Sequence, residues 1–416
     1  MSPNDIPTTD SATEVRDLRT GEAVWRAYRL STPPAEQLRG GFKVDVAILG
    51  AGISGALLAE AATARGLSTV VLDRRPPGHG STAASTALLQ FEIDTPLVHL
   101  AASIGLERAA RIWRRSYRSV QDLAQLVRRL GIACDLQARN AVYLAGNVLD
   151  AGQMAEECGV RQSIGLPTIM LARADLHGLA GIDREAALYS QGAAEVNPVQ
   201  LTNGLLTLAQ RRGCHIVSPI QIAEVQPSPG GVMLASDDGI EIAARALIFA
   251  TGYELAHGLP SGGHKRTSTW VFATKAQPAA VWPNRELIWE AADPYLYIRT
   301  TLDGRVIVGG EDEAIDDETM RDALLPGKIE ALQAKAKALL PALDVTADFR
   351  WTGTFGESEG GLPSIGTVPD MPGCYAVLGY GGNGITFAMI ASQILAAELC
   401  GKRDSDAELF AFGRPA

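Results

Sequence analysis

Lys43 to Gly55 reads KVDVAILGAGISG, and the fold follows from this stretch. Its first part, Lys43 to Leu49, is β-branched and apolar, the composition of a strand buried on both faces. Glycines follow at Gly50, Gly52 and Gly55. Ile53 to Arg65 then carries Ala and Leu at helical spacing. Ser68 to Leu72 (STVVL) reads as a second strand, ending at Asp73, 23 residues after Gly50. Such a β-α-β unit pairs its strands in parallel through a right-handed crossover.

The string Gly50-Ala51-Gly52-Ile53-Ser54-Gly55 is G-x-G-x-x-G, weak evidence when it stands alone. Here it lies between a strand and a helix, and an acidic residue closes the next strand. That context makes it a dinucleotide fingerprint. Gly50 permits the tight turn, Gly52 admits a pyrophosphate, and Gly55 lets helix and strand pack closely. The helix N-terminus offers free N–H groups to the phosphates, and Asp73 can accept from ribose hydroxyls.

Further out, Ala246 to Gly252 (ALIFATG) reads as another buried strand ending in glycine. Thr95 to Leu130 is helical and rich in arginine (Arg108, Arg111, Arg114, Arg115, Arg118), which reads as a solvated face. Asn197 to Arg212 is helical, with Pro198 in its first turn. Short strands (HIVS, IQIAEV, GVMLAS) come next. Thr267 to Val308 alternates as antiparallel strands do and holds Trp270, Trp282 and Trp289. Glu318 to Leu340 is helical. Met371 to Ala397 lacks charge, yet its five glycines divide it into a strand, a turn and a helix rather than a membrane span. The turn Gly379-Tyr380-Gly381-Gly382-Asn383-Gly384 repeats the glycine string, but no strand follows it. Its helix N-terminus suits an electron-rich part of a cofactor.

Among the 416 residues are 37 Lys and Arg and 47 Asp and Glu, a net charge of −10. The balance argues against nucleic-acid binding. Five scattered cysteines, none in a C-x-x-C pair, read as free thiols of a reducing, cytoplasmic compartment. The six histidines form no metal-ligand pattern. The polar N-terminus has no apolar core, so it is no secretory signal, and about the first twenty residues are expected to be loosely ordered.

The chain resembles the FAD-dependent oxidoreductases of the D-amino-acid oxidase type, which include glycine, sarcosine and gamma-glutamylputrescine oxidases. The likeness covers roughly residues 40 to 400. It rests on VAILGAGISG with Asp73, HGSTAASTALLQ (79 to 90), ALIFATG, and WTGTFGESEGGLPSIG (351 to 366) with VLGYGGNGIT (377 to 386). It implies a Rossmann-type FAD-binding α/β domain with an inserted antiparallel-sheet substrate domain. The expected division is an N-terminal extension (1–39), an FAD-binding domain (40–96, 172–256 and 346–416) and a substrate domain (97–171 and 257–345).

By the same resemblance, the glycine turn, Asp73 and Arg74 hold the ADP part. Ser81, Thr82, Ser85, Thr86 and Gln90 lie along the phosphates and flavin, with Thr251 and Gly252 nearby, and Val225 contacts the adenine. Gly381, Gly382, Asn383, Gly384, Ile385 and Thr386 approach the flavin pyrimidine edge. Where relatives attach flavin through Cys or His, this chain has Trp351 to Thr354 and Ala84, so FAD is expected to be non-covalent. His79 is a loop residue.

The implied reaction is hydride transfer from an amine C–H to flavin N5, with O2 or another acceptor taking the electrons. In glycine oxidases an Arg pairs with the substrate carboxylate. The matching position here is Phe355, followed by Glu357 and Glu359. An amine is therefore favoured over a simple amino acid, held by aromatic rings and carboxylates. Tyr253 and Tyr297 are further pocket candidates. Arg299 is the alternative carboxylate anchor, which would restore amino-acid substrates. Other readings are an NAD(P)-linked dehydrogenase, disfavoured by the lack of a catalytic His/Lys set, and a non-catalytic FAD-binding protein.

Overall fold

The computed structural model describes residues 11–38, 40–260 and 263–414. Strand Phe42–Leu49 lies in a sheet of order Ser364–Thr367, Cys374–Leu378, Glu241–Phe249, Phe42–Leu49, Thr69–Leu72, His215–Val217. The last five of these run parallel. Val46 and Ile48 enter one core, while Val44, Ala47 and Leu49 enter another on the opposite face. Burial on both faces is why the strand shows no alternation. Helix Ile53–Thr63 packs between helices Pro198–Arg211 and Gly384–Leu399.

Strand order reverses at Phe42–Leu49, which has Thr69–Leu72 on one side and Glu241–Phe249 on the other. A crevice therefore opens beyond its C-terminal end, where open α/β sheets bind ligands. Gly50 and Thr251 both emerge there. A Cβ on Gly50 would lie 2.3 Å from the Ala250 carbonyl oxygen, and its φ is +118°, so only glycine fits this turn.

The second, larger sheet orders Arg19–Glu22, Ala347–Glu357, Lys265–Thr274, Val306–Glu313, Leu296–Thr300, Leu287–Glu290, Gln137–Leu144, Ala186–Glu195 and Leu88–Leu89, with Thr168–Ala172 beside Ala186–Glu195. It is antiparallel except where Leu287–Glu290 runs parallel to Gln137–Leu144. Helix Glu318–Leu339 covers part of it through Ile329, Leu332 and Ala336. The architecture is the expected one: a Rossmann-type layer and an inserted, mainly antiparallel sheet.

Three local expectations need correction. Residues 11 to 22 are not loose, because Ala12 donates to the Ile222 carbonyl and Arg19–Glu22 pairs with Ala347–Glu357. Residues 1–10 lie outside the described part. The helical stretch after Thr95 is two helices, Leu97–Ile104 and Leu106–Leu130, broken at Gly105 with φ +83°. Its arginines are not simply solvated. Arg111 and Arg115 clamp Asp404, Asp406 and Glu408 of the C-terminal segment, and Arg114 donates to the Ile164 carbonyl. Among the described residues no helix is long and apolar enough to cross a membrane.

Candidate active site

A cavity of about 490 Å³ runs from the glycine turn into the space beneath the large sheet. At its near end Gly50, Gly52, Ile53 and Ser54 form one wall and Asp73, Arg74 and Arg75 another. Ala51 and Gly55 lie behind this wall. The Asp73 carboxylate accepts from the Ala51 N–H at 2.7 Å and the Arg75 N–H at 2.8 Å, tying the turn to the neighbouring strand. Burial pushes its pKa up, against these hydrogen bonds. Arg75 forks onto Glu254, with Nη2 2.8 Å from Oε1. Arg74 donates to the Glu14 carbonyl and the Thr13 hydroxyl, so the N-terminal segment closes this end.

The next wall is the loop from Ser81 to Ala87. Its carbonyls are held from behind: Trp351 donates to Ala84 O at 2.9 Å, Trp25 to Ser85 O at 2.8 Å, and Arg299 to Thr86 O and Ala87 O at 3.0 and 2.9 Å. Thr82 Oγ1 accepts from the Ile53 N–H at the helix start. Ser81, Thr82, Ser85, Thr86 and Gln90 all line the cavity, as do Thr251 and Gly252. Gly381, Gly382, Asn383, Gly384 and Ile385 line it from the second glycine turn. Thr386 is buried behind them and donates, with Asn383, to the Gln90 carbonyl. Val225 is not brought to the cavity. It pairs with Leu234 in a hairpin, and Ile220, Gln221 and Ile222 occupy the wall instead. His79 stays in its loop, near the Pro77 carbonyl.

The far end is a chamber of rings and carboxylates. Tyr143 and Trp289 are register partners on parallel strands and stack at 3.8 Å. Tyr253, Tyr295, Tyr297, Phe355 and Tyr380 complete the aromatic lining. Burial raises the Tyr253 and Tyr297 phenols and lifts Tyr380 to about 12, so these rings stay neutral. Glu357, half-buried, and Asp94, open to the cavity, also line the chamber, and desolvation by the surrounding protein raises both carboxyls. The Glu359 side chain lies outside those described.

Arg299 is absent from the chamber, which corrects the expectation of a carboxylate anchor. It is buried over the Trp25 ring and gives its hydrogen bonds to the carbonyls of Thr86, Ala87, Val196 and Thr300, with Glu195 3.5 Å away. Its Nε and Nη1 donors are thus turned to backbone carbonyls rather than to the chamber. Sequence reading also missed Asp94, Glu92 and Tyr143, whereas Trp289 and Tyr295 belong to the aromatic run it singles out. Asp94, Glu92 and Tyr143 sit in no motif, and only the fold brings them together.

A crevice at a switch point, a glycine turn, and an aromatic-lined chamber beneath a second sheet define a nucleotide-cofactor oxidoreductase. The chain matches the model of the family described as FAD dependent oxidoreductase over residues 45–398, and it belongs to that family. It is 23% identical to the glycine oxidase of Geobacillus kaustophilus (strain HTA426), across 89% of this chain and 96% of that protein. It is 27% identical to the uncharacterized oxidoreductase YurR of Bacillus subtilis (strain 168), across 86% and 95%. The solved G. kaustophilus glycine oxidase superposes with a TM-score of 0.74 at 21% identity, covering 90% of this chain and 99% of that one. L-proline dehydrogenase from P. horikoshii gives 0.74 at 15%, covering 89% and 96%. The protein is thus an FAD-dependent oxidoreductase.

The residues present fit FAD. Ser81 Oγ, Gln90 Nε2 and Thr251 Oγ1 line the cavity, are buried, and have no hydrogen-bond partner among the described residues. Buried polar groups are rarely left so. A Cβ on Gly52 would meet only Thr82 Oγ1, at 3.1 Å, leaving its cavity side open to a phosphate.

Proposed function

We propose that the enzyme oxidises the C–N bond of an amine with no carboxylate beside the nitrogen, a secondary amine or polyamine derivative. Bound FAD supplies the hydride acceptor. The glycine turn with Asp73 and Arg74, the Ser81–Gln90 loop and the Gly381–Ile385 turn would hold it. Neither Cys nor His occurs among the cavity-lining residues, which supports non-covalent binding.

One observation carries the reading. Among the described residues of the chamber, those that carry charge are all acidic: Glu92, Asp94, Glu290 and Glu357. The two lining cations, Arg74 and Arg75, stand at the nucleotide end. Glu92 and Glu290 are paired with Arg161 and Arg184 outside the lining, so a carboxylate substrate would face Asp94 and Glu357 and find no bidentate partner. An ammonium would meet carboxylates and ring faces. The names of the glycine oxidase relatives favour a second reading, an α-amino acid, which requires a cation from elsewhere. The free cysteines, four of them buried, support a reducing, cytoplasmic setting.

Anaerobic titration of the FAD-loaded enzyme tests this. The panel is polyamines, gamma-glutamylputrescine, N-methyl amino acids, glycine and D-amino acids, with the flavin band watched. Bleaching by amines alone supports the reading, and bleaching by amino acids alone overturns it. Fast recovery of colour in air identifies O2 as acceptor, and slow recovery another acceptor.

A further inference from the structure

We propose that Asp94 is the residue that binds the cationic group of the substrate, and so sets specificity. The inference rests on the amine reading above and adds which carboxylate does the work.

The carboxylates in and around the chamber are not equivalent. Asp312 lies behind Tyr295 and Thr269 and does not line the cavity. Glu357 lines it, but stands near the Thr267 hydroxyl and feels the Lys265 charge. Glu92 is taken by Arg161, 3.0 Å away, and Glu290 by Arg184, 2.9 Å away. Asp94 lines the cavity, has no basic partner among the described residues, and has one oxygen committed: Oδ2 accepts from the Gly382 N–H at 2.9 Å.

Its mount is rigid. Asn383 Nδ2 donates to the Gln90 and Glu92 carbonyls, and Thr386 to Gln90 O, so the segment before Asp94 is stapled to the glycine turn. That turn leaves room for the carboxylate. A Cβ on Gly381 would fall 2.5 Å from Asp94 Oδ2, and one on Gly382 2.9 Å from Oδ1. The N-terminal end of helix Gly384–Leu399 favours the ionised form and offsets desolvation. No group of three or more His, Cys, Asp or Glu among the described residues is arranged to hold a metal ion. The geometry suits a bulkier organic cation beside the turn that lines the FAD cavity.

The test uses FAD-loaded protein and two probes of one shape: choline, a permanent cation, and its neutral isostere 3,3-dimethyl-1-butanol. Calorimetry measures both affinities for wild type, Asp94→Asn and Glu357→Gln, with FAD content and melting temperature as checks on folding. The expected result is a wild-type preference for choline that Asp94→Asn reduces about tenfold or more. Glu357→Gln keeps most of it. If Asp94→Asn keeps the preference, the proposal is overturned while the amine reading survives. If wild type prefers neither probe or binds neither, the amine reading fails and this inference with it.

Discussion

Arg299 Nη1 donates to the Thr86 carbonyl at 3.0 Å, and also to Ala87 and Val196 at 2.9 Å each. One guanidinium thus fixes the end of the Ser81–Ala87 loop to the start of helix Pro198–Arg211. Lysine keeps the charge but cannot reach several carbonyls from one planar fork. Arg299→Lys should therefore cost on the order of 3 kcal/mol of stability and weaken FAD retention. The ratio of rates for carboxylate and non-carboxylate substrates should not move. A selective loss of carboxylate substrates in a stable, FAD-replete variant would restore Arg299 as an anchor.

Gly50 and Gly52 belong to one motif but should fail differently. Alanine at Gly50 collides with backbone, at 2.3 Å from Ala250 O, and needs φ +118°. Neither the sheet nor the turn can yield, so Gly50→Ala should not give folded protein. Alanine at Gly52 meets only the Thr82 hydroxyl at 3.1 Å. Gly52→Ala should fold, and its methyl should occupy space a phosphate needs. The expected outcome is near-normal far-UV circular dichroism with FAD affinity lowered about tenfold or more. Equal loss of folding in both would refute the distinction.

How much of this was legible in the sequence follows from contact range. The Lys43–Asp73 unit declared itself because strand, turn, helix and acidic residue are neighbours in the chain. The chamber did not. Asp94 sits in a stretch, Glu92 to Pro96, with no local pattern, and its partner Gly382 is 288 residues away. Arg299 looked like a site residue because its strand covers the cavity. Its side chain is drawn away by carbonyls more than 200 residues earlier, which no local pattern reports. Val225 was placed by resemblance alone, yet its strand touches the cavity only at the Ile222 end.

Gly309 and Tyr297 are register partners on adjacent strands, and the ring lies across the glycine. A Cβ at Gly309 would come within 2.3 Å of the Tyr297 Oη and Cζ atoms. Gly309→Ala should push the ring toward the chamber and part its hydroxyl from Thr269 Oγ1, now 3.3 Å away. Overpacking of this kind costs about 1–3 kcal/mol. Substrate KM should rise while FAD content holds. Gly309→Ala with Tyr297→Phe should not restore binding, because the ring itself is in the way, whereas Gly309→Ala with Tyr297→Ala should recover stability.

Asp312 gives the enzyme a pH-dependent weakness. Both carboxylate oxygens are buried without a partner of good hydrogen-bond geometry, although the Thr269 and Tyr295 hydroxyls are close. Burial, with Glu357 and Asp94 adding to it, pushes its pKa up to about 7. The folded state therefore holds this proton more tightly than the unfolded chain, whose carboxyl titrates near its ordinary value of 3.8. Between those two values each pH unit destabilises the fold by about 1.4 kcal/mol, and above pH 7 the penalty is constant. Asp312→Asn removes it. Thermal unfolding of FAD-loaded wild type and Asp312→Asn should nearly coincide around pH 4. The variant should gain steadily up to about pH 7, with a constant advantage beyond. Parallel curves across the whole range would mean that Asp312 finds a partner and stays ionised in the folded enzyme.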